Sequence, residues 1–242
     1  MTAQLEISSL TKRFGGLVAI DAIDLQVATG ELIGLIGPNG SGKTTLLNIV
    51  GGYYGTSGGT VTFEGRRVNG KAPNRLARLG IGRSFQVTKV FKRLSLRENL
   101  EVAALTNWRL SRTAARARAM EVLARLNLTD LADERAGNLS GGQAKLLEFG
   151  RIMMLEPSLV LLDEPFGGVH PELKRFMYDT IRDWNARGAT IILISHDMGS
   201  IFGLCRRVVV LSYGAIIADG EPATVRNDPA VLEAYLGDHH AA

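Results

Sequence analysis

Apolar and polar residues alternate at the start of the chain. QLEISSL (4–10), IDLQV (23–27) and TVTFEGRRV (60–68) place hydrophobic side chains at or near every second position, the pattern of strands with one buried face. Together they predict a small antiparallel sheet. ELIGLIG (31–37) falls between them, an apolar strand running into a glycine-rich loop, and TTLLNIVGG (44–52) continues at helical spacing. Three later runs, LVLLDE (159–164), TIILISH (190–196) and RVVVLS (207–212), are apolar almost without a break. Strands of a parallel sheet covered on both faces look like this. Helical stretches separate them, most clearly PELKRFMYDTIRDWNARG (171–188), with proline near its start and glycine at its end. The expected core is α/β.

Residues from about 90 onward break this rhythm. LSLRENLEVAAL (94–105) and RTAARARAMEVLARLNL (112–128) have helical periodicity and no strand between them. The chain therefore reads as one domain, 1–242. Residues 1–89 and 151–242 form the core and its antiparallel sheet, and 90–150 form an inserted helical subdomain.

Composition changes this picture little. The chain has 242 residues, enough for one well-cored domain. Its 28 basic and 24 acidic residues leave a net charge of +4, which is mild. Arg109, Arg112, Arg116, Arg118 and Arg125 recur at helical spacing among alanines. That reads as a solvated helix face; a nucleic-acid stripe would carry more charge and interleaved aromatics, so no nucleic-acid partner is expected. The single cysteine, Cys205, excludes an internal disulfide and a cysteine-based zinc site, and its apolar setting predicts a buried, inert thiol. No basic start with an apolar core marks a signal peptide, and no apolar run approaches the ~20 residues of a membrane span. The expectation is a soluble cytoplasmic chain, with any membrane part supplied by other chains. His239 and His240 read as a solvated tail.

Candidate chemistry begins at GPNGSGKTT (37–45), which matches Gly-x-x-x-x-Gly-Lys-Ser/Thr between a strand and a helix. Glycines at 37, 40 and 42 let successive N–H groups converge on phosphate oxygens, and the helix beginning near Lys43 adds its partial positive terminus. Asn39, Gly40, Ser41, Gly42, Lys43, Thr44 and Thr45 are the candidate nucleotide contacts, with Lys43 reaching the β- and γ-phosphates and Thr44 ligating Mg²⁺. The alternative is a glycine-rich turn with an incidental lysine. LVLLDE carries Asp163 to the carboxyl edge of the sheet as a second Mg²⁺ group, and Glu164 beside it is the candidate general base. The two acids also suit a helix N-cap before Pro165, and the readings are compatible. A second anion-binding start, LSGGQ (139–143), opens what looks like another helix.

With LSGGQ lying between GPNGSGKTT and LVLLDE, the chain resembles the ATP-binding-cassette ATPases over nearly its whole length. The resemblance implies a P-loop NTPase core of ABC-ATPase type with an N-terminal antiparallel β subdomain and an inserted α-helical subdomain. It also implies ATP and Mg²⁺ as cofactors, and a second ATPase subunit facing the first head to tail. Ser140, Gly141, Gly142 and Gln143 would then complete a neighbour's site, so each chain needs one copy of each half. Phe14, in KRFGG, matches the aromatic that stacks on adenine, with a core phenylalanine as the alternative; Val18 would pack on the same ring. Gln86, in GRSFQ, matches the glutamine that touches Mg²⁺ and water, and His196, in LISHD, the histidine that contacts the γ-phosphate. One departure stands out: His170, in EPFGGVHPE, replaces the aspartate usual at that place, and a histidine there would make coupling between sites pH-sensitive.

FGGLVAI, ARLGIGRSFQ, VFKRLSLRENL and RNDPAVLEAYLG resemble the ATPases of branched-chain amino-acid importers and their relatives for urea, amides and aromatic acids. DEPFGGV and the terminal YLG also resemble the lipopolysaccharide-export ATPase, and a non-transport mechanochemical ATPase is the alternative from another class. The importer resemblance implies two integral-membrane permease subunits and a periplasmic or extracellular solute-binding protein. It implies a peripheral place on the cytoplasmic face of the bacterial inner membrane, with a permease helix in the groove near Gln86 to Leu100.

Overall fold

The computed structural model describes residues 3–104 and 111–237. Arg109, His239 and His240 lie outside the described residues. The chain opens with β1 (Ala3–Phe14), β2 (Leu17–Ala28) and β3 (Leu32–Ile36), then α1 (Lys43–Val50), β4 (Gly58–Phe63) and β5 (Arg66–Arg67). It continues through α2 (Pro73–Leu79), β6 (Ile81–Arg83), α3 (Leu96–Ala104), α4 (Arg112–Arg125) and α5 (Gly141–Leu155). The last part alternates: β7 (Leu159–Asp163), α6 (Pro171–Ala186), β8 (Thr190–Ile194), α7 (Met198–Leu204), β9 (Arg207–Ser212) and β10 (Ala215–Gly220), ending in α8 (Pro222–Arg226) and α9 (Pro229–Gly237).

The alternating segments form an antiparallel sheet in the order β2-β1-β4-β5, as expected. Its register sets Ile7 opposite Leu25 on one side and Val61 on the other, so one face is continuously apolar. The unbroken apolar runs form a six-stranded sheet, β10-β9-β3-β8-β7-β6. β9, β3, β8, β7 and β6 are parallel. All five residues of β3, β7 and β8 are buried, which accounts for their lack of alternation. One core fills the space between the two sheets and α1; a second lies on the opposite face of the six-stranded sheet, beneath α6 and α7. Arg207 fastens this assembly at one edge, donating to Asp219, Glu31 and the Gln26 carbonyl.

Two strands went unread in the sequence. β6 has three residues, too short to show any period, and β10 returns antiparallel beside β9 as a hairpin. Both are edge strands, and β10 is only half-buried along most of its length, which weakens its apolar signal.

The helical subdomain has a third core, built from α3, α4 and α5. Arg112, Arg116 and Arg125 of α4 are exposed as expected, while Arg118 pairs with Glu121 and Glu156. Asn99, fully buried in α3, accepts from the Phe91 N–H at 2.8 Å and donates to the Phe91 and Ser95 carbonyls, which fixes the segment after Gln86 onto this helix. α5 belongs to both bodies. Leu146, Leu147, Met153 and Met154 pack in the helical core, and Phe149 and Ile152 pack on the sheet. Phe149 stacks on Trp184 of α6 at 5.4 Å. Cys205 is buried, and its thiol is pushed up to about 12 by burial. Among the described residues, no helix is long and apolar enough to cross a membrane.

Candidate nucleotide site

The phosphate loop is held by close backbone approaches that only glycine permits. Gly37 has φ 145°, and a Cβ there would fall 2.0 Å from the Leu211 carbonyl oxygen. Gly42 has φ 107°, with a Cβ position 2.6 Å from the Ala19 carbonyl. The loop is tied to the β9–β10 hairpin because the Gly214 N–H donates to the Ser41 carbonyl at 3.0 Å. α1 then starts at Lys43, with Gly42 as its cap and no side-chain cap hydrogen bond, so its positive terminus borders the cleft. The Lys43 ammonium folds over the loop, donating to the Gly37 and Pro38 carbonyls at 2.7 Å and to Ser41 Oγ at 3.2 Å.

β7 delivers the two carboxylates to the same edge. Asp163 is 2% exposed, and its Oδ1 accepts from Thr44 Oγ1 at 3.4 Å. Burial raises its carboxyl above the usual range, opposed by Arg83, the Thr44 hydroxyl and Lys43. Glu164 follows with φ 48°, an uncommon conformation for a residue with a side chain. Its N–H donates to the Ile194 carbonyl of β8, and its Oε2 accepts from the His196 N–H at 3.2 Å. His196 Nε2 lies 3.4 Å from Glu164 Oε1.

These groups line one cleft of ≈ 440 Å³ with Phe14, Val18, Asn39, Gly40, Ser41, Gly42, Thr45 and the exposed Gln86. Phe14 is 42% exposed, edge-on to Tyr54 at 5.4 Å, with the Lys12 ammonium 4.7 Å from its ring centre. The core alternative for Phe14 therefore fails. Leu17, exposed at the start of β2, and Tyr213, exposed in the β9–β10 turn, also line the cleft, and nothing in the local sequence singled them out.

Ser140, Gly141, Gly142 and Gln143 are absent from that cleft. They start α5 with a capping box: the Gln143 N–H donates to Ser140 Oγ, and the Ser140 N–H donates to Gln143 Oε1 at 2.9 Å. Gly141 has nothing within 4 Å of its Cβ position, so the turn presents open backbone to the outside. His170 is exposed and precedes α6 without capping it.

Two buried basic residues were missed. Lys145 of α5 donates to the Glu164 and Pro165 carbonyls at 3.2 and 3.1 Å, and Arg83 of β6 pairs with Asp163 at 3.5 Å. A charged residue closing the short apolar stretch GIGR was the available signal for Arg83. Glu148, next to Lys145 in α5, is likewise buried, and its carboxyl is pushed up to about 7 by burial, against hydrogen bonds from the Phe85 and Lys89 backbone. Because its folded value lies above the unfolded one, its contribution to stability is full below about pH 4.5 and lost as pH rises through about 7. Glu148→Gln should thus stabilise the protein at pH 8, by up to roughly 3 kcal/mol, and change it little at pH 4.5. Thermal melts at the two pH values check this.

The donor set suits magnesium. Thr44 Oγ1 and Asp163 Oδ1 are neighbouring hard oxygens at the lip of the phosphate loop. No group of three or more His, Cys, Asp or Glu that could hold a metal occurs among the described residues. Mg²⁺ bound alongside a nucleotide takes one or two such protein oxygens and fills its shell with phosphate and water.

Residues 20–167 match the sequence model of the ABC transporter family, and residues 215–241 match that of the branched-chain amino acid ATP-binding cassette transporter. The high-affinity branched-chain amino acid transport ATP-binding protein BraF of Pseudomonas aeruginosa is 37% identical, covering 97% of this chain and 98% of that protein. LivG of Escherichia coli K12, of the same description, is 34% identical over equal shares. Among solved structures, the ADP conformation of an ATP-binding cassette superposes with a TM-score of 0.85 at 33% identity, covering 98% of this chain and 100% of that one. A dimeric bacterial ABC transporter cassette superposes at 0.83 with 25% identity, covering 90% and 98%. With this loop, these carboxylates and cassette relatives along nearly its whole length, the chain belongs to the ABC transporter family, as an ATP-hydrolysing cassette subunit.

Proposed function

We propose that the chain energises import of branched-chain amino acids, or of a related small polar solute, through separate permease subunits. The observation that carries the two-chain part is the division of the anion-binding groups. One cleft gathers Lys43, Thr44, Asp163, Glu164 and His196, while Ser140–Gln143 open outward from another face. A second cassette, identical or paralogous, placed head to tail would bring its Ser140–Gln143 turn onto the γ-phosphate held here. The names of the relatives and the match at 215–241 support the solute class.

In this reading Phe14 and Val18 hold the adenine, and the loop amides with Lys43 hold the phosphates. Thr44, Asp163 and Gln86 hold Mg²⁺, which supplies charge neutralisation at the phosphates. Glu164 takes a proton from the attacking water, and His196 orients the γ-phosphate while its contact to Glu164 fixes the carboxylate. ATP favours the closed pair because both chains contact it; hydrolysis removes the γ-phosphate contacts and the pair reopens. Two permeases, each with a helix in one chain's groove near Gln86 to Leu100, follow this motion, and a solute-binding protein delivers cargo from outside. The chain then sits on the cytoplasmic face of the inner membrane. Purification from the source membranes in mild detergent, with mass spectrometry of every co-purifying chain, tests this. Two hydrophobic permeases and a soluble binding protein are expected; recovery with DNA, ribosomes or no partner would overturn the transporter reading.

A further inference from the structure

A buried cation stands behind Asp163. Arg83 closes β6, in register with Leu161, two residues before Asp163 on β7. Its side chain is only 6% exposed, and Nη2 lies 3.5 Å from Asp163 Oδ2. The other carboxylate oxygen, Oδ1, faces Thr44 Oγ1. The two oxygens are thus divided, one toward the guanidinium and one toward the cleft. The Asp163 main chain is pinned by the residue just after that strand, its N–H donating to Ser84 Oγ at 3.1 Å.

The rest of the guanidinium meets aromatic faces rather than hydrogen-bond acceptors. It lies 5.1 Å from the Tyr53 ring centre and 5.3 Å from that of Phe85, and its Nε and Nη1 are buried without a hydrogen-bond partner. Arg83 is also among the residues lining a ≈ 280 Å³ cavity, with Lys89, Glu148 and Arg151. A hydrocarbon side chain in this slot would leave Asp163, itself 2% exposed, as a buried charge without its ion-pair partner, which is far costlier than replacing both partners together. The two rings suit a planar cation, but they do not account for its edge being turned to Asp163. The carboxylate does.

We propose that Arg83 is a positioning residue for the metal: by holding Asp163 Oδ2 it turns Oδ1 toward Thr44 and the cleft. This rests on the reading of Thr44 and Asp163 as Mg²⁺ groups. Arg83 touches neither nucleotide nor metal itself.

The test is a Mn²⁺ titration followed by electron paramagnetic resonance, on the full chain with a non-hydrolysable ATP analogue. Arg83→Met should need about tenfold more Mn²⁺, the loss of one charge-assisted contact. Binding of the analogue in EDTA should stay unchanged, and the KM for Mg²⁺ should rise more than kcat falls. Arg83→Lys should recover much of the metal affinity, because it restores the cation. Should the methionine variant fail to fold, Arg83→Gln gives the same readout with a polar side chain. Asp163→Asn serves as the reference. If it binds Mn²⁺ like the parent, the metal assignment itself fails. If Asp163→Asn loses Mn²⁺ while the neutral Arg83 variants titrate like the parent, the positioning role is wrong and the assignment stands. Equal loss of metal-free nucleotide binding in the Met, Gln and Lys variants would also overturn it, as a purely structural role.

Discussion

Glu164→Gln should slow ATP hydrolysis by ~10²–10⁴-fold while leaving ATP binding intact. The amide keeps the size of the carboxylate and one acceptor for the His196 N–H, so the turn after β7 has no reason to change. What disappears is the basicity facing the cleft. Since the proposed pair closes on ATP and reopens only after hydrolysis, this variant should accumulate as a closed dimer. Gel filtration with ATP and Mg²⁺ reads it directly. A shift to dimer size, reversed when ATP is removed, is expected. A variant that remains monomeric at saturating ATP would count against the two-chain site, and one that hydrolyses at the parent's rate would remove Glu164 as base.

Lys43→Ala should abolish measurable nucleotide binding. Hydrogen bonds to charged groups contribute ~1.5–3 kcal/mol each. An ammonium bridging two phosphates supplies at least two of them, so affinity should fall by ~10²-fold or more. The same ammonium now braces the loop through the Gly37 and Pro38 carbonyls. The alanine variant should therefore also melt at a lower temperature without any ligand. Titration with a fluorescent ATP analogue separates the effects: a melting change with undiminished affinity would mean that Lys43 is a brace only.

The parts of this molecule that were legible in its sequence are those where one physical demand governs consecutive residues. Four fully buried positions before Asp163 leave a run that only a covered strand explains, and a loop that must approach Leu211 and Ala19 needs its glycines in place. The phosphate cleft followed, because its groups sit at the ends of such strands. Arg83 and Lys145 were missed for the opposite reason. Each meets its partner across a gap in sequence, 80 residues from Arg83 to Asp163 and 19 from Lys145 to Glu164, so no local pattern names the partner, even where GIGR marks Arg83 itself. The separation of Ser140–Gln143 from the cleft is likewise a fact of packing. Local reading shows two anion-binding starts, and the fold shows that they do not line the same cleft.

Glu164 holds a backbone conformation that suits glycine, at φ 48°. Conformations of this kind cost of order 1–3 kcal/mol and persist where surrounding structure over-determines them, here through the Lys145 and Ile194 contacts on either side of the residue. Selection for thermal endurance alone would thus find an easy first step at this position, and the reward would be an inert protein. Heat tolerance in this chain is best sought away from the end of β7, with turnover measured at every round.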